Sequence, residues 1–336
     1  MTTANTGILA SGTTFTTQQL AVLLCAVTYS TDPQSDIATY LPGWSIVWDG
    51  TQTSDGNYAF IALDPTSTIY ALAIRGSLPP FDVFKDWAAF DNWILEDMDV
   101  VTRVSWPYVT NSGSNALIAS GTNRAFGQVQ NMVDSLGSQK TILEYLQANG
   151  AVAGNQVIIT GHSLGGNVAN VYASYFISQL AAASSTFTNT ALVTFAAPAA
   201  GNSDFATDLD AKLPNAWHYE NDNDIVPKFP VSLSVLLIGF MYIGGPSASG
   251  ITCTYKGKTV SLRDAFMLLA GIFAVYDYQQ QALNYNTFNT PTDSAYTQNT
   301  IGDFFNQAGY QHEVVHYATN LNVNLPQTLV EQSRLV

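Results

Sequence analysis

The residues best placed to do chemistry are Gly161-His162-Ser163-Leu164-Gly165, a G-x-S-x-G sequence. A serine hydroxyl is a weak nucleophile until a base takes its proton. The motif helps only where a strand runs into it and a helix leaves it, because that sharp turn lifts the hydroxyl above a sheet. Val157–Thr160 is a short apolar run suited to a buried strand, and it ends at Gly161. From Gly166 onward Val168, Val171, Tyr172, Tyr175 and Phe176 recur at helical spacing. The flanking glycines suit a turn too tight for side chains. The N-terminus of the following helix directs N–H groups and a positive dipole end at the reacting oxygen. The bland alternative is an ordinary glycine-rich turn.

A nucleophilic serine needs a base and an acid that orients it, and in this arrangement the chain order is Ser, Asp or Glu, then His. Only four histidines are present, so elimination works. His162 sits beside the serine and cannot turn back onto its own neighbour. His218 falls in an expected strand ahead of the acid, which is the wrong order. His312 follows Gly309-Tyr310-Gln311, read as the start of a loop, and is the preferred base. His316, four residues on, is the alternative and would share a helical face with it. The acid is sought in Glu220-Asn221-Asp222-Asn223-Asp224-Ile225-Val226-Pro227. Asp224 is preferred because Ile-Val-Pro would hold it rigidly. Asp222 is the alternative, able instead to serve a turn or bind a cation.

These residues must be carried by alternating strands and helices. Thr16–Tyr29 reads as a helix, and Tyr58–Leu63 and Thr68–Ile74 as strands joined by a turn at Asp64-Pro65. Met98–Val109 is expected to hold a strand, and Asn123–Leu146 a long helix that Gly137 kinks or divides. Ala191–Ala196 and Ala216–Tyr219 are further strands, and the polar Gln279–Thr300 is expected to be loop. The alternation predicts an α/β fold with a mostly parallel central sheet and helices on both faces, an α/β-hydrolase fold. Residues 1–336 read as a single such domain with an insertion at about 231–300.

Composition narrows the function. Hydrophobic residues make up 47% of the 336, enough for a large core, and charged residues only 11%, against roughly 25% in typical globular chains. A net charge of -14 repels phosphate backbones and argues against a nucleic-acid partner. Cys25 and Cys253 form no metal cluster, and neither a metal nor an organic cofactor is required. Their spacing permits one disulfide but equally two buried thiols. The N-terminal stretch carries no Lys or Arg, unlike a secretory signal. Export by another route and a cytoplasmic location both stay open. The apolar runs Val231–Ile243 and Ala265–Tyr276 are shorter than the roughly 20 residues that span a bilayer, so no transmembrane segment is expected. The oligomeric state is not legible.

Four segments, in order, resemble the fungal-type class 3 lipases. They are Ile74-Arg75-Gly76-Ser77, Gly161–Gly166, Thr194-Phe195-Ala196-Ala197-Pro198 with Gly201-Asn202, and Asn221–Pro227. Asn92–Asp97 is similar to the family's lid segment. The resemblance implies an α/β-hydrolase fold, hydrolysis of acylglycerol esters, and a triad of Ser163, Asp224 and His312. It further implies that Ser77 and the N–H of Leu164 form the oxyanion hole. Carboxylesterase, phospholipase and feruloyl esterase activities are alternatives on the same scaffold, and a non-catalytic lipid-binding protein is a more distant one. The expected substrate is a lipid or other ester, met at an oil–water interface. Residues 78–95 would then form a lid: Phe81, Phe84, Trp87, Phe90 and Trp93 crowd the segment. A core helix that merely packs on the domain is the competing reading.

Overall fold

The computed structural model describes residues 14–75 and 86–334. The first helix, α1 (Thr17–Val27), starts at a reciprocal cap. Thr16 Oγ1 accepts the Gln19 N–H at 3.2 Å and Gln19 Oε1 accepts the Thr16 N–H at 3.0 Å. Every residue from Leu20 to Val27 is buried, so α1 is a core helix and not a surface one. After α2 (Pro33–Tyr40), β1 (Ser45–Asp49), β2 (Tyr58–Leu63) and β3 (Ile69–Arg75) form an antiparallel meander. Next come α3 (Trp87–Asn92), β4 (Arg103–Ser105), β5 (Leu117–Ala119), α4 (Ser120–Gln130) and α5 (Ile142–Tyr145).

The centre of the molecule is β6 (Gln156–His162), which leads into α6 (Leu164–Ala182). The strand is paired in parallel with β3 on one side and with β7 (Thr190–Phe195) on the other. Its run of Val157, Ile158, Ile159 and Thr160 is continuously apolar or β-branched because both sheet faces are covered. Then follow β8 (Gly201–Asn202), α7 (Ser203–Lys212), β9 (Ala216–Asn221), α8 (Ser232–Ile238), β10 (Thr252–Tyr255), β11 (Lys258–Ser261) and α9 (Leu262–Phe273). The chain continues through β12 (Tyr278–Gln279), β13 (Tyr285–Phe288), α10 (Ile301–His312), α11 (Val314–Asn320) and α12 (Gln327–Arg334). The main sheet has seven strands in the order β1-β2-β3-β6-β7-β9-β13, parallel from β3 onward. This is the expected α/β architecture. No helix among the described residues is long and apolar enough to cross a membrane.

Alternate residues of β2, β3 and β6 point into two cores. Ile61, Leu72, Ile74, Val157 and Ile159 face α4 and α6, whereas Phe60, Ala71, Ala73 and Ile158 face α1 and α11. A third cluster lies where α3, α8, α9 and α10 meet.

Two expected elements are shorter than their patterns suggested, and one expectation needs correction. The helix expected over 123–146 is divided, as Gly137 allowed, into two short helices, because Asp134 builds a turn between them. Its carboxylate accepts the N–H groups of Asp49, Leu136 and Ser138 at 3.1, 3.0 and 2.8 Å, and Gly137 takes φ +122°. The strand expected in 98–109 shrinks to Arg103–Ser105. The polar stretch 279–300 holds β13, the last strand of the main sheet; its outer residues are polar because it is an edge. Leu72 is fully buried between neighbours on β2 and β6. Leu72→Ala should therefore cost about 2–5 kcal/mol of stability, read from urea unfolding of the variant against the parent.

Candidate active site

The turn from β6 to α6 has almost no spare room. A Cβ on Gly161 would stand 2.2 Å from the Gly165 carbonyl oxygen, and one on Gly166 would stand 2.8 Å from the Ala197 Cβ. Both glycines are therefore required by the close approach of strand and helix. Between them Ser163 adopts φ 60° and ψ −133°, a conformation that non-glycine residues rarely hold. Its N–H donates to the Phe195 carbonyl at 2.9 Å, which ties the turn to the end of β7. The first turn of α6 is anchored from the side by Asn167, which accepts from Thr122 Oγ1 at 2.8 Å and donates to the Pro198 carbonyl at 3.1 Å.

The Ser163 hydroxyl lies 2.8 Å from His312 Nε2, and His312 Nδ1 lies 2.7 Å from Asp224 Oδ2. All three side chains are buried. Since a carboxylate only accepts, Nδ1 carries the ring proton and Nε2 faces the serine as an acceptor. His312 does not open a loop, as expected from its neighbours; it is the last residue of α10. Asp224 sits just beyond β9, and its other oxygen, Oδ1, accepts the Val226 N–H at 2.9 Å, so the Ile-Val-Pro sequence does hold it. Asp222 is exposed, and its N–H instead donates to the Phe288 carbonyl at 2.7 Å, on β13.

His316, the alternative base, and His218, excluded by its place in the chain, lie apart from this chain of bonds. His316 stacks edge-on against Tyr310, with ring centres 4.4 Å apart. His218 is buried in β9, its Nδ1 2.7 Å from Thr194 Oγ1. The N–H of Leu164 opens α6, where first-turn N–H groups have no intrahelical acceptor. Ser77 lies outside the described residues, as does the first part of the expected lid. In the described part, the aromatic side chains of α3 are buried: Trp87 meets Phe266 at 5.3 Å and Phe90 meets Phe229 at 5.2 Å. Cys25 and Cys253 are free and buried, and no metal-binding cluster is found among the described residues.

Sequence reasoning missed the groups that hold the acid. Tyr317 donates its hydroxyl to Asp224 Oδ2 at 2.8 Å, and burial keeps that phenol protonated by raising its pKa well above the usual range. The Asn221 N–H donates to Tyr317 Oη at 3.2 Å, and its side-chain amide donates to the carbonyl of Gln311 at 2.9 Å. Asn221 thereby joins the acid's loop to the helix that carries His312. Tyr317 was visible only as a neighbour of His316, and nothing in the spacing singled it out.

The family model "Lipase (class 3)" matches residues 71–234, from β3 through the elbow and the acid's loop into α8. Across that stretch, just under half of the 336 residues, the chain is similar to the class 3 lipase family. Among solved structures, the M37 lipase is 20% identical, with a TM-score of 0.75 over 94% of this chain and 96% of that one. Lipase II from Rhizopus niveus is 19% identical, with a TM-score of 0.49 over 65% and 75%. The Rhizomucor miehei triacylglyceride lipase is 21% identical, with a TM-score of 0.45 over 63% and 73%. Comparison with curated protein sequences gave no match.

His218 ties stability to pH. Burial lowers its pKa to about 4, whereas an unfolded histidine takes up its proton near 6.5. Between those values the unfolded chain binds more protons, so stability is present above pH 6.5 and is lost as the pH falls toward 4. The full loss from this one group is about 3 kcal/mol. His218→Gln should remove that dependence. Urea unfolding at pH 7 and pH 4 should show a smaller drop in the variant than in the parent.

Proposed function

We propose that the protein hydrolyses acylglycerol esters through an acyl-enzyme on Ser163. The observation that carries this reading is the continuous chain of hydrogen bonds from Ser163 through His312 to Asp224, set on the strained turn. As Ser163 Oγ attacks the ester carbonyl, His312 Nε2 takes its proton. The proton then goes to the leaving alcohol. Water repeats the sequence and frees the acid. Asp224, with Tyr317 and the Val226 N–H holding it, keeps the imidazole oriented and stabilises its cation. The developing oxyanion is bound by the Leu164 N–H and, as the family resemblance implies, by Ser77. One such donor is typically worth about 3–4 kcal/mol of barrier.

A lipid surface is the setting that the apolar groups favour. The α8–α9 region leaves Leu233, Ile243 and Val275 exposed at 67, 87 and 75%, with Leu237 and Met267 also out. Exposed apolar clusters of this kind mark sites of contact with proteins or lipids. The same region contacts α3 through Phe266, and Leu164 beside the serine packs on that cluster as well. Residues 78–95 act as a lid in this reading. Moving α3 exposes Trp87, Phe90 and Trp93, which is unfavourable in water by about 25 cal/mol per Å2 and favourable in oil.

Ser163→Ala and His312→Ala should each lower kcat by about four orders of magnitude or more while circular dichroism stays normal. His316→Ala should stay within about tenfold of the parent, and Asp224→Asn should damage far more than Asp222→Asn. A substantial rate in folded Ser163→Ala protein would remove that residue as nucleophile.

Activity on a triacylglycerol should rise abruptly once droplets form. Ile243→Ser with Val275→Ser should blunt that rise and spare hydrolysis of soluble p-nitrophenyl acetate. A smooth curve through the solubility limit, with equal losses on both substrates, would favour a plain carboxylesterase.

A further inference from the structure

His162 is buried beside the nucleophile, yet the mechanism above does not use it. Its Nε2 stands 3.0 Å from the main-chain carbonyl of His312, and its Nδ1 stands 2.9 Å from the Tyr29 hydroxyl. A carbonyl oxygen can only accept, so Nε2 carries a proton. The carbonyl in question ends α10, where the last carbonyls have no intrahelical donor. His162 thus donates to the main chain of the one residue whose imidazole must meet Ser163.

We propose that His162 is a positioning residue, whose Nε2–H holds the main chain of His312 while Tyr29 fixes that tautomer by donating to Nδ1. This rests on the reading of His312 as the base. Three segments close around the ring: Tyr29 from the turn that follows α1, His312 from α10 and Tyr317 from α11. The ring centres of His162 and His312 are 4.8 Å apart, and those of His162 and Tyr317 are 5.7 Å apart. A charged His162 at that distance would oppose the imidazolium that His312 becomes in the transition state. Burial and the neighbouring His312 hold its pKa well below the ordinary histidine value, which keeps it uncharged. In that uncharged ring, with Nε2 protonated, Nδ1 is left as an acceptor, and the Tyr29 O–H faces it. The backbone position of His312 is therefore set from beneath by a group that never takes the reaction's proton.

Two substitutions separate a positioning role from simple packing. His162→Gln keeps an N–H near the place of Nε2, and His162→Leu keeps bulk without a donor. The Leu variant should lose about 10–100-fold in kcat, with KM within about twofold, as supporting hydrogen bonds do elsewhere. The Gln variant should recover most of that loss. Equal kcat in the two variants would overturn the proposal. Should the Leu variant fail to fold, nitrogen-15 NMR of the native protein at neutral pH decides instead. A ring with Nε2 protonated and Nδ1 bare is required, and a ring protonated only on Nδ1 rules the role out. The spectrum reads His162 directly, so it stands apart from the assays on Ser163 and His312 that test the base itself.

Discussion

The site depends on how closely β6 and α6 approach each other at Ser163. There is no room for side chains on Gly161 and Gly166, and the serine between them is held in a backbone conformation that typically costs about 1–3 kcal/mol. Such strain persists only where the surroundings fix it. Here β6 is paired on both sides, and the Ser163 N–H is bonded to Phe195, so relaxing the turn would break the middle of the sheet. The same geometry puts the hydroxyl just past the C-terminal end of the central strand, at the open N-terminal end of α6.

Around that turn the protein uses neutral groups more than charged ones. Asp224 is buried and balanced by a tyrosine hydroxyl, a main-chain N–H and an imidazole. Asn221 and Gln311 bridge the loop and the helix through amides. In a chain with only 11% charged residues, the acid is thus held by dipoles, which carry a smaller desolvation cost than ions.

What could be read from the sequence follows from the range of the interactions involved. The elbow was legible because strand, glycines, serine and helix are contiguous, and the steric rule acts over six residues. The preferred base and acid were legible through elimination, since there are four histidines and one acidic loop in the required order. Tyr317, Asn221 and the bonds of His162 were not, because each joins segments about 90 or more positions apart. The division of the 123–146 helix was legible at Gly137, but its cause was not. Apolar spacing favoured helix throughout, while the buried Asp134 carboxylate gathers three N–H groups and makes a turn the better solution. Strand β13 was hidden because an edge strand with exposed amides has the composition of a loop.

That strand has a meaning for anyone trimming the molecule. Residues 231–300 look like an accessory in the sequence, yet their final part is built into the acid's surroundings. The Thr290 N–H donates to Asn221 Oδ1 at 3.1 Å, the Pro291 carbonyl accepts from Gln311 at 3.0 Å, and the Phe288 carbonyl accepts from Asp222 at 2.7 Å. A minimal enzyme made by excising the whole stretch would lose the brace between acid and base along with the decoration. From β12 onward the stretch belongs to the framework itself, since β12 pairs with β8 and β13 with β9.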